Sequence, residues 1–114
     1  MNDCLFCKIV EKKIPTEIVY ENNQLLAFKD VDPQAPVHIL IIPKEHIKTT
    51  NDLTKKQAEL VGNMFLTATK LANEYDIAVH GYRTVLNCNK DGGQSVYHIH
   101  LHLLGGRQMK WPPG

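Results

Sequence analysis

Three histidines alternate with apolar residues near the C-terminus, in the run Tyr97-His98-Ile99-His100-Leu101-His102-Leu103-Leu104. Successive side chains of a β-strand point to opposite faces of a sheet. The spacing therefore predicts a strand with the histidines on one face and the aliphatic residues packed in a core behind them. Imidazoles are suited to chemistry near neutral pH, because their pKa is about 6.5.

Two kinds of chemistry fit this histidine row: metal binding, or nucleophilic and acid-base catalysis on a phosphoryl or acyl group. A single histidine in a strand is usually structural, but three at strict alternation favour a chemical role. The preceding loop favours phosphoryl chemistry. Its Gly92, Gly93 and Ser95 offer backbone N–H groups and a hydroxyl, which stabilise negative charge on a phosphate.

A second motif, Cys4-Leu5-Phe6-Cys7, is compatible with redox chemistry, with zinc binding or with plain burial. Cys88 is the third cysteine of the chain, and an odd number argues against a disulfide framework and for a reducing compartment. The chain shows no secretory leader pattern and no apolar stretch approaching about 18 residues. We therefore expect a cytoplasmic protein.

The chain has 114 residues and a formal net charge of +1, with acidic and basic residues mixed along it. This length suits one domain, residues 1–114, which can bury a core without disulfides. The even charge distribution argues against nucleic acid or a membrane surface as the main partner. An anionic ligand would have to be recognised locally.

The remaining elements predict an α+β domain, with an antiparallel sheet of about five strands and one long and one short helix. Apolar runs, turns and capping residues mark these elements. They are a short helix capped by Asp3 and stopped at Ile14-Pro15, strands at 17–21, 25–30, 37–42 and 82–88, a long helix at 54–75, and a polar loop at 89–94. The tail, residues 105–114, has no helix or strand pattern, and its Trp111 predicts docking against this chain or a partner.

The histidine run and its flanks resemble the histidine triad family, whose pattern is His-x-His-x-His with apolar x, and more closely its Hint branch. The similarity covers nearly the whole chain. It includes the runs Phe6-Cys7-Lys8-Ile9, Ala27-Phe28-Lys29-Asp30, Pro33-Gln34-Ala35-Pro36, Ile42-Pro43-Lys44-Glu45-His46 and Trp111-Pro112-Pro113-Gly114.

The resemblance implies a homodimer with one ten-stranded sheet, and hydrolysis of purine nucleoside 5′-phosphoramidates through a covalent nucleotidyl-histidine. No cofactor is implied for catalysis. His100 would be the nucleophile, His102 would contact the phosphate and help to protonate the leaving group, and the backbone near His98 would orient His100. Ser95 and the amides after Gly93 would bind phosphate oxygens.

The resemblance also implies a nucleotide site and a leaving-group pocket. The base pocket would consist of Phe6, Ile9, Phe28 and Val31. Asp30 would bind the ribose, with Asn87, Gly93 and Gln94 near the phosphate. Trp111 would reach the partner subunit's leaving-group pocket. Some relatives hold a structural zinc, for which Cys4, Cys7, His46 and His98 are available here.

Three alternatives remain: a dinucleoside polyphosphate hydrolase of the Fhit type, a nucleotidyltransferase, and a nucleotide-binding or protein-interaction module with incidental activity. The transferases replace the third histidine by glutamine, whereas this chain keeps His102. Outside the triad, we expect Cys88 to be structural, His38 to support the end of its strand and His80 to lie in a surface loop.

Overall fold

A computed structural model describes residues 3–114 of the chain. It contains five strands: β1 (Ile18–Glu21), β2 (Leu25–Lys29), β3 (Val37–Pro43), β4 (Tyr82–Val85) and β5 (Leu101–Gly105). The helices are α1 (Leu5–Val10), α2 (Ala58–Glu74) and α3 (Asn89–Gly92), and 3₁₀ turns cover Thr50–Asp52 and Lys55–Gln57. All strand pairs are antiparallel, in the spatial order β1-β2-β3-β5-β4. The predicted α+β fold class is confirmed.

The two faces of this sheet carry separate apolar cores, because alternate residues of each strand point to opposite sides. On one face, α2 packs against the sheet through Leu60, Met64, Ala68 and Leu71. Its partners on the strands are Leu25, Ala27, Ile39, Ile41, Leu101 and Leu103. On the other face, the short helix α1 packs Phe6 and Ile9 against Leu26, Phe28, Leu40 and Ile42.

The long helix begins with the predicted capping box. The Thr54 hydroxyl accepts a hydrogen bond from the backbone of Lys56, and the Gln57 side chain accepts one from the Thr54 backbone N–H. The first turn is 3₁₀, so α2 proper starts at Ala58 and ends at Glu74, close to the predicted range of 54–75. No helix among the described residues is both long enough and apolar enough to cross a lipid bilayer.

The short helix differs from its prediction at both ends. Cys4, rather than Asp3, is the N-cap, and its sulfur accepts a hydrogen bond from the Cys7 N–H at 3.4 Å. The helix ends at Val10, followed by Lys12 in the left-handed region with φ of 63°, before Ile14-Pro15 is reached. This register turns Phe6 and Ile9 onto the sheet, which outweighs the better capping propensity of aspartate.

Two further elements differ from their predictions. β4 ends at Val85 instead of residue 88, and the polar loop after it contains the single helical turn α3. β5 starts only at Leu101, so the first two triad histidines lie before the strand, in a segment that bends at residues 96–98. Continuing the β3–β5 register would place Ile99 opposite Pro43, which has no N–H. The Ile99 amide instead donates to the Ile47 carbonyl at 2.8 Å.

Candidate active site

The histidine row lies on the α1 side of the sheet, opposite its aliphatic partners. Ile99, Leu101 and Leu103 are buried in the core beneath α2, as the alternation predicts. His98 and His100 are also buried, and His102 is half-buried. The reason is α1, whose Phe6 ring meets the His100 ring edge-on with a centroid distance of 5.0 Å. The row is therefore covered at one end and open at the other.

Backbone groups set the protonation of the His100 ring. Its Nδ1 lies 2.8 Å from the carbonyl oxygen of His98. A carbonyl can only accept a hydrogen bond, so Nδ1 carries the proton. In the neutral ring, Nε2 is therefore bare and has its lone pair available. Burial lowers the pKa of His100, which keeps this ring neutral at physiological pH.

A second chain of hydrogen bonds sets the tautomers of His38 and His102. The backbone N–H of Gln34 donates to His38 Nδ1 at 3.0 Å, so neutral His38 carries its proton on Nε2. That Nε2 lies 2.9 Å from His102 Nδ1, which must accept the bond. Neutral His102 therefore has its proton on Nε2, as a donor. The two neutral rings therefore have complementary tautomers, because His100 Nε2 offers a lone pair and His102 Nε2 offers a hydrogen.

Electrostatics keep this histidine pair uncharged in the free protein. Burial, followed by the neighbouring His100 and His38, lowers the pKa of His102 to about 4. Burial also lowers the pKa of His38, although Asp30 and Asp32 oppose the shift. The Asp30 carboxylate lies 3.5 Å from His38 Nε2, and its other oxygen accepts a hydrogen bond from the Asp32 N–H at 2.8 Å.

A cavity of about 370 Å³ opens between α1 and the triad, within the size range of small-molecule sites. One end is apolar, whereas the other brings together His100, His102, Ser95 and Asp30. The apolar lining comes from Leu5, Phe6, Ile9, Ile14, Pro15, Phe28, Val31, Leu40 and Val96, and Thr16 also lines the cavity. The cavity therefore places an apolar surface beside the bare Nε2 of His100 and the Nε2–H of His102. A second cleft of about 340 Å³ near His80 contains none of the triad histidines.

Four ligand-type side chains converge at the covered end of the histidine row. The ligand atoms of Cys4, Cys7, His46 and His98 all lie within 4.8 Å of one another. Nδ1 of His98 is 3.4 Å from the Cys4 sulfur and 3.2 Å from Nδ1 of His46. Nδ1 of His46 in turn lies 3.2 Å from the Cys7 sulfur.

The chemistry of this four-residue cluster suits zinc. His98 Nε2 lies 2.7 Å from the Pro43 carbonyl and donates to it, so its Nδ1 is bare and faces the sulfurs. A tetrahedral zinc with bonds of about 2.0–2.3 Å separates neighbouring ligand atoms by roughly 3.3–3.8 Å. The observed separations of 3.2–3.5 Å are close to that range. The residues present therefore fit a zinc ion.

Comparison with known proteins is consistent with this arrangement. A family model described as "Scavenger mRNA decapping enzyme C-term binding" matches residues 3–111. The purine nucleoside phosphoramidase of Escherichia coli is 48% identical over 107 residues, covering 94% of this chain and 90% of that protein. A HIT-like protein of Synechococcus elongatus is 50% identical over 112 residues, covering 98% and 97%. A crystal structure of a HIT family hydrolase from Legionella pneumophila has a TM-score of 0.97 at 56% identity, covering 98% of this chain and all of that one.

The chain belongs to the histidine triad (HIT) family. The HIT fold brings most of the site residues predicted from the sequence into one place. Phe6, Ile9, Phe28, Asp30, Val31, Ser95, His100 and His102 all line the large cavity. His98 stands behind it, shared between the His100 hydrogen bond and the cysteine cluster.

Four other residues predicted for the nucleotide site or the leaving-group pocket lie outside the lining of that HIT cavity: Asn87, Gly93, Gln94 and Trp111. Asn87 stands behind the α3 turn, where its backbone is 3.8 Å from the position that a Cβ on Gly92 would take. Gly93 has φ of +83° and closes α3, which suits a residue without a side chain. Trp111 is 82% exposed, and the Arg83 guanidinium lies 5.9 Å from its ring centroid. Val31 lines the cavity rim and is 95% exposed.

Gln94, predicted to lie near the phosphate, has a side chain that is hydrogen-bonded within this HIT chain. Its side-chain oxygen accepts a hydrogen bond from the Asn89 N–H at 2.8 Å. Its side-chain nitrogen donates to the carbonyls of Lys48 and Val96 at 2.7 and 3.1 Å. Its backbone N–H donates to the Asn89 carbonyl at 3.0 Å. The buried amide therefore holds the loop before the triad in place.

His38 is the residue whose position in the HIT site was missed. Sequence analysis assigned it to the end of a strand, yet its ring bonds directly to His102. The available signal was the alternation of β3, which puts His38 on the same face as Leu40 and Ile42. The contact itself depends on pairing β3 with β5 in one register, with Leu40 opposite His102.

Proposed function

We propose that the protein hydrolyses purine nucleoside 5′-phosphoramidates in two steps through a nucleotidyl-histidine. The observation that carries this proposal is the hydrogen bond from His100 Nδ1 to the His98 carbonyl. It leaves Nε2 as a bare nucleophile beside a cavity that is apolar at one end and polar at the other. The resemblance to the E. coli phosphoramidase supports the choice of a P–N bond.

In the first step, His100 Nε2 attacks the α-phosphorus and the P–N bond breaks. The bond electrons leave with the amine nitrogen, which takes a proton from His102 Nε2. In the second step, a water molecule attacks the phosphorus and gives a proton to His102 Nε2, while the His100–P bond breaks and its electrons return to His100 Nε2. The products are a nucleoside monophosphate and an amine, and both histidines return to their starting state. Dividing the reaction in this way replaces one difficult displacement by two easier ones.

The negative charge of the substrate favours protonation of His102. His102 has a pKa of about 4 in the free protein, so the free ring is uncharged at neutral pH. A phosphate anion bound beside the ring favours the imidazolium and raises its pKa. The protonated acid is therefore formed mainly when substrate is bound, and its formation breaks the bond from His38 Nε2, because His102 Nδ1 then carries a proton of its own.

Binding follows from the two ends of the cavity. The purine stacks in the apolar part of the cavity between α1 and β2. This part contains Phe6 and Phe28, whose ring centroids lie 5.5 Å apart. The Asp30 carboxylate binds the ribose hydroxyls. The N–H groups of Gly93 and Gln94 already donate within their own turn, so the Ser95 hydroxyl is the main loop contact to phosphate.

We further propose that Cys4, Cys7, His46 and His98 hold a structural zinc. When bound, the ion would neutralise two thiolates and tie α1 to the histidine row; it takes no part in the hydrolysis. The four side chains themselves position the His98 backbone, which orients His100. Hydrolysis therefore requires no added metal.

The proposed assembly is a homodimer formed through β4, which is an edge strand of the sheet. Its free edge could pair with the same strand of a second copy and extend the sheet to ten strands. This dimer would also bury apolar side chains that are exposed in the single chain, namely Phe65 and Leu66 on α2 and Tyr82 on β4. Trp111 lies beside Arg83 of the same edge, and in this proposed dimer it would reach the partner subunit's cavity. Light scattering during size-exclusion chromatography would return the monomer mass if this assembly is wrong.

The test of the function is turnover of adenosine 5′-phosphoramidate, with mass spectrometry of the quenched protein. We expect a nucleotidyl adduct on His100 and a rate loss of more than about 10³-fold in His100→Gln. His80→Ala is the matched control, because that histidine is exposed and lies outside the cavity. Turnover by His100→Gln within tenfold of the parent would overturn the proposal.

The same experiment separates the alternatives. Faster cleavage of diadenosine polyphosphates would point to the Fhit type of reaction. Nucleotide binding with no turnover of either substrate would point to a binding module. The apolar lining presents few groups that could read the edge of a base, so we expect adenosine and guanosine substrates to differ by less than tenfold.

A further inference from the structure

Cys4 and Cys7 occupy two positions at the start of α1 that suit a disulfide. Cys4 is the N-cap in extended conformation, with φ of −67° and ψ of 122°, and Cys7 is the third helical residue. The Cys7 N–H donates to the Cys4 sulfur at 3.4 Å, and the two sulfurs lie within 4.8 Å. A disulfide needs sulfurs about 2.05 Å apart on neighbouring Cβ atoms. Side-chain rotation at the helix start can supply that approach.

The cysteine pair also contacts the catalytic elements directly. Phe6 lies between the two cysteines in sequence, and its ring packs edge-on against His100 at 5.0 Å and His98 at 6.0 Å. The Cys7 sulfur itself lies 3.5 Å from His98 Nδ1. A change in bonding at the sulfurs therefore reaches the residue that orients the nucleophile.

We propose that Cys4 and Cys7 form a reversible redox pair, in which a disulfide removes both sulfur ligands from the four-residue cluster and slows hydrolysis at His100. Its effect on rate rests on the proposed function, whereas formation of the disulfide does not. The cluster then has two exclusive states, because a disulfide sulfur has no thiolate charge to give to a metal.

The oxidant is a low-molecular-weight disulfide, such as oxidised glutathione. Cys4 is half-buried and Cys7 is buried, so the Cys4 sulfur attacks first and forms a mixed disulfide, releasing one glutathione thiolate. The Cys7 sulfur then attacks the Cys4 sulfur and releases the second. Two electrons pass to the oxidant, and the two released thiolates take up protons from the cysteine thiols or from water.

Oxidation loosens the covered end of the active site. Only His46 and His98 remain as ligands, and two imidazoles hold zinc far more weakly than the four-residue set. His46 is exposed and is freed together with its loop. The new bond also changes the start of α1, which carries Phe6 and Ile9 onto the cavity. We expect the rate of hydrolysis to fall about tenfold and to recover on reduction.

The experiment uses full-length protein carrying Cys88→Ser, loaded with one equivalent of zinc and exposed to oxidised glutathione. The substitution is needed because a hydrogen bond from Thr50 lowers the pKa of the Cys88 thiol, which would otherwise react too. Peptide mass mapping detects the Cys4–Cys7 bond, a chelating dye measures released zinc, and turnover is measured before and after dithiothreitol. Cys4→Ser in the same background is the matched control, compared with its own untreated rate.

We expect one disulfide and one zinc released per chain, and a slower reaction that dithiothreitol restores, whereas the control should form no disulfide and keep its own untreated rate. Separate glutathione adducts on Cys4 and Cys7, or zinc retained after oxidation, would overturn the redox pair. A verified disulfide with unchanged turnover would overturn its control of the site. If the reduced protein shows no turnover, the proposed function fails; mass mapping and zinc release still test the disulfide, and calorimetry of AMP binding replaces the rate.

Discussion

Two histidine clusters in this molecule differ in where the backbone directs the protons of their imidazole rings. The cysteine cluster consists of Cys4, Cys7, His46 and His98. The acid cluster consists of Asp30, His38 and His102. Each brings ligand atoms within 4.8 Å of one another, so composition and distance alone make both candidates for a metal. Both also contain at least one buried imidazole.

The backbone group behind each buried ring separates them. A carbonyl, that of Pro43, faces His98 and takes the ring proton away from the cluster, so a lone pair points inward. An amide N–H, that of Gln34, faces His38 and forces the ring proton into the cluster. A neutral histidine that binds a metal through Nε2 needs a proton on Nδ1, which would face the Gln34 N–H. The cysteine cluster therefore directs a lone pair inward and can bind a metal. The acid cluster has a ring proton at the same kind of position, which excludes one.

The largest effect should come from removing a sulfur of the cysteine cluster. In Cys7→Ser we expect zinc content to fall from about one per chain to less than a tenth, because a buried ligand is lost. We also expect the melting temperature to fall by at least about 10 °C, or roughly 3 kcal/mol. Elemental analysis and calorimetry measure both. Cys88→Ser, which leaves the cluster intact, is the control, and equal zinc in the two variants would contradict the assignment.

The next effect concerns the Gln34 N–H. Gln34→Pro removes that donor, so His38 loses the bond that fixes its tautomer and no longer presents a hydrogen to His102. We expect turnover to fall by 10- to 100-fold, about 1.4–2.7 kcal/mol in activation free energy.

The matched control is Gln34→Ala, which loses the same side chain but keeps the N–H, and its rate should stay within twofold. Nitrogen NMR of labelled imidazoles should place the His38 proton on Nε2 in the parent and in the alanine variant. A proline variant with unchanged tautomers and an unchanged rate would show that the Gln34 N–H does not fix the ring proton of His38.

A smaller effect is predicted for the pH dependence of stability. His102 has a pKa of about 4 when folded and about 6.5 when unfolded, so the unfolded chain binds the proton more readily. Its contribution is complete above pH of about 6.5 and is lost as the pH falls toward 4. After allowance for partial exposure, we expect a loss of about 1–2 kcal/mol from this residue. Urea unfolding of the parent and of His102→Gln measures it, and identical slopes below pH 6.5 would refute it.

The smallest effect is the absence of a second tight metal site. Calorimetric titration of the metal-stripped protein with zinc should saturate at one equivalent. His102→Ala should leave that stoichiometry unchanged. The acid cluster of the parent holds a ring proton instead of a metal, so the variant has no second zinc to lose. A second equivalent of comparable affinity that disappears in this variant would show that the Gln34 N–H does not exclude a metal.

Local patterns predicted the parts of the fold that depend on neighbouring residues. The alternation from Tyr97 to Leu104 correctly assigned Ile99, Leu101 and Leu103 to one core. Thr54 and Gln57 correctly marked the start of the long helix, since a capping box involves only four residues. The resemblance to the family supplied most of the cavity lining in addition.

Contacts between distant segments could not be predicted from local sequence patterns. His38 and His102 are 64 residues apart and meet only because β3 and β5 pair in a particular register. The amide of Gln94 spans 46 residues to reach the Lys48 carbonyl. The N-cap at Cys4 was missed for a related reason, because packing of Phe6 on the sheet, not local propensity, chose the helix start.

The order of the strands has a kinetic consequence. β5 carries His102 between β3 and β4, so it is hydrogen-bonded on both sides, whereas β1 and β4 form the edges. Amides in such a central strand exchange with solvent only through the rarest opening events, close to global unfolding. The backbone of the third histidine therefore stays in place in all but those rare openings. On the proposed function, entry and exit of nucleotide would therefore depend on movement of the surrounding loops and α1, while the strand beneath them stays still.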